Sequence, residues 1–343
     1  MKRLLALLSG DAPGLALSEL KSILHIFYGT DNVEKITDRV VQINANISDA
    51  GAITGRAAYV KELVEPLIYS PKLGVGGAVE VAESELLKGP RSFAVRAVRL
   101  GGVKCDRTAV ERLLGGVVMS SYPHLKVDLS SPDIVIHAYI TENGVYAGPL
   151  LSRLKYSRLE ARRPKMRPFR HPSALMPGLA RCMVNLTRVK PPGWIVDPFA
   201  GTGSIPMEAA DMGYRVVAIE LKRWIARGCL TNLKWSSHAE RVELLCGDAT
   251  APPLRGRFQG VATDPPYGRS TQLSDRNIER LYLSAFSSIA ELLEPGSRIV
   301  AAIPQQRVDP SLLEEIGLHL LEQHPIRIHS SLTRVVCVYG RGS

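Results

Sequence analysis

Four short apolar runs in the second half of the chain each end in or beside a carboxylate, and this repetition restricts the fold more than any other feature. Trp194-Ile195-Val196 ends in Asp197, Arg215 to Ile219 in Glu220, Val242 to Leu245 just before Asp248, and Gln259 to Thr263 in Asp264. Runs this short and apolar, with a helical pattern such as Ile205 to Met212 stopping at Gly213, read as buried strands joined by crossover helices. In a parallel sheet built this way all the C-terminal strand ends fall on one edge, where open α/β sheets bind ligands. Singly, each acid has a plainer reading: Glu220 as a solvated residue, Asp248 as a turn aspartate, Asp264 as part of a proline-stiffened turn. Their order along the chain favours a site.

Two of the loops carry specific chemistry. Asp197-Pro198-Phe199-Ala200-Gly201-Thr202-Gly203-Ser204 joins a strand to a helix, and its glycines let the backbone approach a ligand. It is not a dinucleotide fingerprint, because Pro206 stands where a third glycine would, and the chain has no GKS or GKT of a P-loop. Asp264-Pro265-Pro266-Tyr267 presents carbonyl oxygens and a carboxylate on a stiff loop, followed by an aromatic ring. That suits a flat base bearing an exocyclic NH2: Asp264 and the Pro265 carbonyl accept the two amine hydrogens, Pro266 keeps the turn rigid, and Tyr267 stacks. The motif resembles the catalytic motif of the amino-methyltransferases, which methylate exocyclic nitrogens of adenine, cytosine or guanine.

The resemblance implies a Rossmann-type seven-stranded domain and S-adenosylmethionine (SAM) as cofactor. It places SAM against Asp197, Phe199, Ala200, Gly201, Thr202 and Gly203, with its ribose at Glu220 and Leu221 and its adenine at Asp248 and Ala249. The rest of the chain fits such a sheet: a helix from Asn277 to Leu293 ended by Glu294-Pro295-Gly296, a strand from Arg298 to Ile303, a helix from Asp309 to Ile316, and a final pair, Leu318 to His329 and Arg334 to Tyr339.

The 343 residues carry a formal charge of +10, which points to a polyanionic partner. Residues 1–60 hold six basic and six acidic residues, 61–150 ten of each, and 191–343 sixteen of each. The excess therefore lies in 151–190, with eleven Lys or Arg against one Glu. Arg153, Lys155, Arg158, Arg162, Arg163, Lys165, Arg167 and Arg170 are expected to form a phosphate-binding strip across the approach to the active site. The alternative is a solvated linker.

Five scattered cysteines without a CxxC pair imply neither zinc nor a disulfide framework, and no metal site is expected. Met1 to Leu8 imitates a signal peptide, but the run breaks at Ser9-Gly10-Asp11 and reads better as a first strand. No apolar stretch reaches the ~20 residues that span a bilayer. A cytoplasmic protein without a membrane partner is the expectation.

The N-terminal part reads as a separate α+β module: a strand Leu4 to Leu8, a helix Gly14 to Phe27, a strand Val40 to Ala45, a strand around Phe93 to Leu100 that displays Arg96, a helix from Cys105-Asp106 to Met119, and a strand Ile134 to Thr141. This arrangement resembles a THUMP domain, an RNA-binding module of tRNA-modifying enzymes.

With both halves in view the chain resembles the archaeal-type THUMP-containing tRNA guanine-10 N2-methyltransferases. The octet Thr263 to Ser270 is the stretch most like that family. The segment Arg167-Pro168-Phe169-Arg170-His171-Pro172 looks like the one that leads into the SAM pocket, and so brings His171 to the cofactor. The resemblance implies a ferredoxin-like domain at 1–58, a THUMP domain at 59–150, a basic linker at 151–170 and the methyltransferase domain at 171–343. It implies tRNA as substrate and leaves open one or two methyl groups, and a small activating methyltransferase subunit as a second partner. The alternatives are a THUMP enzyme for another guanine such as position 6, a DNA or rRNA amino-methyltransferase, and a non-catalytic RNA-binding subunit.

Overall fold

The computed structural model describes residues 1–71, 79–172, 174–267, 275–329 and 332–342. These fall into two compact units, one of residues 1–17 with 31–154, the other of 18–30 with 155–343.

The first unit contains β1 (Lys2–Leu8), the start of α1 (Pro13–Tyr28), β2 (Val33–Lys35), β3 (Val40–Ala45), α2 (Ala50–Arg56), β4 (Val60–Val64), β5 (Ile68–Ser70), β6 (Glu80–Val81), β7 (Ser92–Arg99), α3 (Arg107–Ser121), β8 (Lys126–Val127), β9 (Ile134–Thr141) and β10 (Gly144–Arg153). Its strands form one sheet in the order β2-β3-β1-β4-β10-β9-β7-β8, with β5 and β6 joined beside β10. β4 pairs with β1 on one side and β10 on the other, so the expected division near residue 58 runs through a continuous sheet. α3 starts where Asp106 accepts hydrogen bonds from the Thr108 and Ala109 amides, and buries Leu114 and Val118 against β7, β9 and β10.

The second unit takes the later part of α1, then α4 (Tyr156–Glu160), α5 (Pro177–Leu186), β11 (Trp194–Asp197), α6 (Ser204–Asp211), β12 (Arg215–Glu220), α7 (Arg223–Trp235), β13 (Val242–Cys246), β14 (Phe258–Thr263), α8 (Asp275–Ala290), β15 (Leu293–Pro304), β16 (Leu318–His329) and β17 (Leu332–Arg341). The sheet order is β13-β12-β11-β14-β15-β17-β16. The first five run parallel and β17 returns antiparallel between β15 and β16. Side chains alternate across the sheet. Val196, Val217, Ile219 and Val261 pack with Ile278, Tyr282, Phe286 and Ile289 of α8, while Ile195, Val216 and Ala218 between them are just as deeply buried. Both faces are covered, which is why these strands read as unbroken apolar runs.

Two expected elements differ. α8 stops at Ala290, and β15 already begins at Leu293, so Glu294-Pro295-Gly296 lies inside a strand instead of ending a helix. Leu293 pairs with Phe258 and is fully buried, and the register shifts before Gly260 meets Arg298, which absorbs the proline and glycine as an irregularity. Pro310–Ile316 winds as a 3-10 helix, capped by the Asp309 side chain. Among the described residues no helix is long and apolar enough to cross a membrane.

Candidate functional site

Asp197, Glu220 and Asp264 stand at the C-terminal ends of β11, β12 and β14, three adjacent parallel strands, and Asp248 follows β13. They share one edge of the sheet, as their order in the sequence implies.

Around β11 the contacts come from its own turn and from the two strands paired with it. The Asp197 Oδ1 accepts from the Thr263 hydroxyl at 2.7 Å and the Phe199 amide at 3.2 Å. Burial pushes this carboxyl up to about 7, against the pull of those two donors, and the nearby Asp264 and Glu220 add to the rise. Ala200 donates its amide to Ile219 at 2.9 Å, and Glu220 Oε2 accepts from the Gly201 amide at 3.0 Å. The other oxygen of Glu220 accepts from Lys222 N–H at 2.9 Å, so this carboxylate fastens the glycine turn to the next strand end.

Gly201 and Gly203 both take the left-handed conformation, with φ of +53° and +86°. Their surroundings differ. A Cβ on Gly201 would enter open space, with Phe199 O at 3.9 Å as nearest atom, whereas one on Gly203 would meet Cys229 Sγ at 2.8 Å. The absence of a side chain at Gly203 lets α6 start against α7. Thr202 is buried, and its hydroxyl has no partner among the described residues. An open approach at Gly201 beside an unsatisfied buried hydroxyl fits these residues to a polar ligand.

Asp248 is exposed, its Oδ1 accepting from the Thr250 amide and hydroxyl at 2.9 and 2.8 Å, and Ala249 is buried beside it. Leu221 is 64% exposed just beyond Glu220, leaving an apolar side chain at the rim of the edge. His171 lies 6.1 Å from Trp224, ring centre to ring centre, and Phe169 lies 6.0 Å from the same ring. Asn232, fully buried on α7, fixes this segment: its Oδ1 accepts from Phe169 N–H, and its Nδ2 donates to Phe169 O and Thr202 O at 3.1 and 3.0 Å. The Phe169 ring packs where Gly228 has no side chain, and a Cβ there would sit 2.2 Å from it. Sequence reasoning missed Asn232, although an Asn amid the apolar face of an amphipathic helix was a signal.

After β14 the loop carries Asp264, Pro265, Pro266 and Tyr267; Gly268, Arg269 and Ser270 of the expected motif lie outside the described residues. The Tyr267 hydroxyl donates to Asp264 Oδ1 and accepts from Arg334 Nε–H. Arg334 Nη2 lies 3.4 Å from Asp264 Oδ2, and the guanidinium carbon 5.2 Å from the centre of the Tyr267 ring. Burial raises the Asp264 carboxyl above its ordinary value, while Arg334 and the Tyr267 hydroxyl oppose that rise. Burial beside Asp264 holds the Tyr267 phenol far above its ordinary range. Arg334 was not foreseen.

The basic strip divides sharply. Arg162 and Arg167 face protein, not solvent. Arg162 grips Glu208 through two hydrogen bonds, 2.7 and 2.8 Å, and also reaches Asp211 at 3.3 Å. The nearly buried Arg181 joins both acids and Arg158 pairs with Asp211 at 2.8 Å. Arg167, 1% exposed, donates to Ser204 Oγ at 2.7 Å, to Arg162 O at 3.0 Å and to Leu175 O at 3.4 Å. The phosphate role expected of Arg162 and Arg167 is therefore corrected: both guanidinium groups are turned into the protein, committed to carboxylates, a hydroxyl and carbonyls there, and are not presented to a ligand in solvent. Arg153 pairs with Glu62 at 2.9 Å and Arg163 with Glu160 at 2.6 Å, both remaining partly exposed, and Arg96 donates to Leu129 O at 2.6 Å. Lys155, Lys165 and Arg170 are exposed.

Residues 164–335 match the RMKL-like methyltransferase domain and residues 76–147 the THUMP domain. The tRNA (guanine(10)-N2)-dimethyltransferase of Methanothermobacter thermautotrophicus is 34% identical over 98% of this chain and 99% of its own length. The chain belongs to this family of THUMP-containing tRNA guanine-N2 methyltransferases. Its members differ in target: the tRNA (guanine(6)-N2)-methyltransferase of Archaeoglobus fulgidus is 25% identical over 76% of this chain and 72% of its own. The crystal structure of TrmN from Thermus thermophilus shares the fold, with a TM-score of 0.55 and 21% identity, covering 98% of this chain and 99% of that one. In this family's terms the edge formed by Asp197, Glu220 and Asp264 belongs to the methyltransferase domain, and the sheet of the first unit includes the THUMP domain.

Proposed function

We propose that this protein transfers methyl groups from SAM to the exocyclic N2 of guanine in tRNA, at position 10. The observation that carries this reading is the Asp264–Tyr267 loop beside the Gly201 turn on one sheet edge. Position 10 is favoured over position 6 by the near-complete coverage at higher identity with the guanine-10 relative.

Phe199 to Gly203 would hold the cofactor at the turn, Glu220 and Leu221 its ribose, Asp248 and Ala249 its adenine, with Asp197 and His171 behind the turn and beside it. When bound, SAM supplies an electrophilic methyl group on a sulfonium. The N2 lone pair of guanine is delocalised into the ring, so the amine must pyramidalise to attack. Asp264 and the Pro265 carbonyl accept its two hydrogens, which favours that change and aligns the nitrogen. As the nitrogen–carbon bond forms and the sulfur–carbon bond breaks, nitrogen becomes an ammonium, and its proton passes to Asp264 or to water. The base must first leave its stack, and stacking on Tyr267 offsets on the order of 1–3 kcal/mol of that cost.

The exposed cations Lys155, Lys165 and Arg170, with the partly exposed Arg96, Arg153, Arg158 and Arg163, are the candidates to meet RNA phosphates. The test is mass spectrometry of nuclease digests of an unmodified tRNA transcript after incubation with SAM. N2-methylguanosine or its dimethyl form at position 10 supports the proposal, and the same digest reads one methyl or two; methylation at position 6 keeps the chemistry and overturns the position.

A further inference from the structure

Asp264 is a carboxylate largely withdrawn from water, with 15% of its side chain exposed. Burial favours its neutral form, and a neutral carboxyl gives up acceptor capacity that an amine donor needs. The groups that face it are Tyr267 on its own loop, Asp197 at the end of β11, Tyr282 on α8 and Arg334 on β17. Two are phenols and one is another acid, so Arg334 is the only cation of this set among the described residues.

Arg334 reaches the loop from a distant strand. β17 runs antiparallel to β15 with Arg334 opposite Pro304, past the end of the parallel strands. From there one guanidinium makes three contacts: Nη2 to Asp264 Oδ2, Nε–H to the Tyr267 hydroxyl, and the cation over the Tyr267 ring. The Tyr267 hydroxyl, its lone pair taken by Arg334, turns its hydrogen to Asp264 Oδ1. Each carboxylate oxygen keeps a further lone pair for another donor.

We propose that Arg334 is the positioning residue of the acceptor loop, holding Asp264 ionised to receive the substrate amine and fixing the Tyr267 ring that meets the base. This rests on the reading that Asp264 accepts the amine. Arg334 need not touch the reacting atoms.

The test is single-turnover methyl transfer to an unmodified tRNA transcript at saturating SAM, followed across pH 5.5–9, for the full-length wild type, Arg334→Gln, Arg334→Lys and Asp264→Asn. Arg334→Gln should slow transfer by about tenfold or more at neutral pH and move the acidic limb of the profile up by about one pH unit or more. SAM affinity by calorimetry should stay the same. Arg334→Lys, which keeps the charge but not the planar fork, should hold the limb in place while the plateau rate falls. An acidic limb unmoved in Arg334→Gln overturns the proposal whatever the rate. Should that variant not fold, Arg334→Lys decides alone: a lowered plateau with a fixed limb supports the role, and an unchanged plateau or a displaced limb overturns it. Asp264→Asn separates the two levels. Wild-type rates in that variant bring down the amine-acceptor reading itself, whereas an inactive Asp264→Asn with an unmoved limb in Arg334→Gln brings down only the role of Arg334.

Discussion

The turn after β11 and the loop after β14 sit on neighbouring strands of one sheet edge, yet they are held in different ways. The first is fastened within its own turn and by β12 and β14, the two strands paired with β11: Glu220 accepts from Gly201, Asp197 from Phe199 and Thr263, and Ala200 donates to Ile219. The second draws its electrostatic partner from β17, a strand separated from β14 by β15 in the sheet. The corner proposed to hold SAM is assembled from backbone amides and the carboxylates of adjacent strand ends. An acceptor loop set by one distant guanidinium can be retuned without disturbing that corner.

The sharpest way to break the comparison is to damage each loop separately. Asp264→Ala should lower methyl transfer by on the order of a thousandfold, as loss of a transition-state contact does, with SAM affinity unchanged by calorimetry. Gly201→Val should do the reverse and abolish SAM binding, because its side chain enters the open space before the turn and its φ of +53° disfavours a β-branched residue. Loss of SAM binding in Asp264→Ala would show that the two loops are one unit.

Support beneath the corner should be nearly as sensitive. Glu208→Ala takes from Arg162 and Arg181 the more buried of the two acids they share, leaving Asp211 alone to balance both, and should cost up to about 3–5 kcal/mol in denaturant unfolding. A change within experimental error would return Arg162 to the solvent-facing strip.

Asp197 makes a pH-dependent contribution. Its folded value, about 7, lies above the ordinary carboxylate value, so the folded protein binds the proton more tightly than the unfolded chain. The stability associated with that proton is fully present below the unfolded value and is lost as pH rises to about 7. Asp197→Asn keeps an oxygen for Thr263 and Phe199 and removes the titration. The variant should gain stability over wild type as pH rises from 4 to 8, by at most about 4 kcal/mol. A gap independent of pH would contradict the assignment.

The smallest expected effect concerns the RNA approach. Replacing Lys155, Lys165 and Arg170 by Ala should flatten the salt dependence of tRNA binding by up to about three units of slope and leave SAM affinity intact. An unchanged slope would make the exposed remainder of the strip a solvated linker.

The sequence revealed most of what is local. The order of short apolar runs, each followed by an acid, is enough to place Asp197, Glu220 and Asp264 on one sheet edge, because parallel strands end together. What it hid is long-range. Arg334 sits in an alternating strand with no mark to separate it from a surface cation. Arg162 and Arg167 look like phosphate ligands because their partners, Glu208, Asp211 and Ser204, lie 37 to 49 residues later. The available clue was Glu208 itself, an acid inside the apolar run Ile205 to Ala210, which burial obliges to find a cation. The boundary at residue 58 was illegible for a similar reason: strand pairing across β4 is a property of the sheet, not of the segment.

The central claim, that the Asp264 loop presents guanine N2 for methylation, is tested most directly by nucleoside-resolved mass spectrometry of a tRNA transcript treated with SAM and either wild-type protein or Asp264→Ala. The account predicts methylated N2 of a single guanine, at position 10, with wild type and none with the variant. Methyl-adenine or methyl-cytosine, N2-methylguanine spread over many sites, or undiminished product with Asp264→Ala would contradict it.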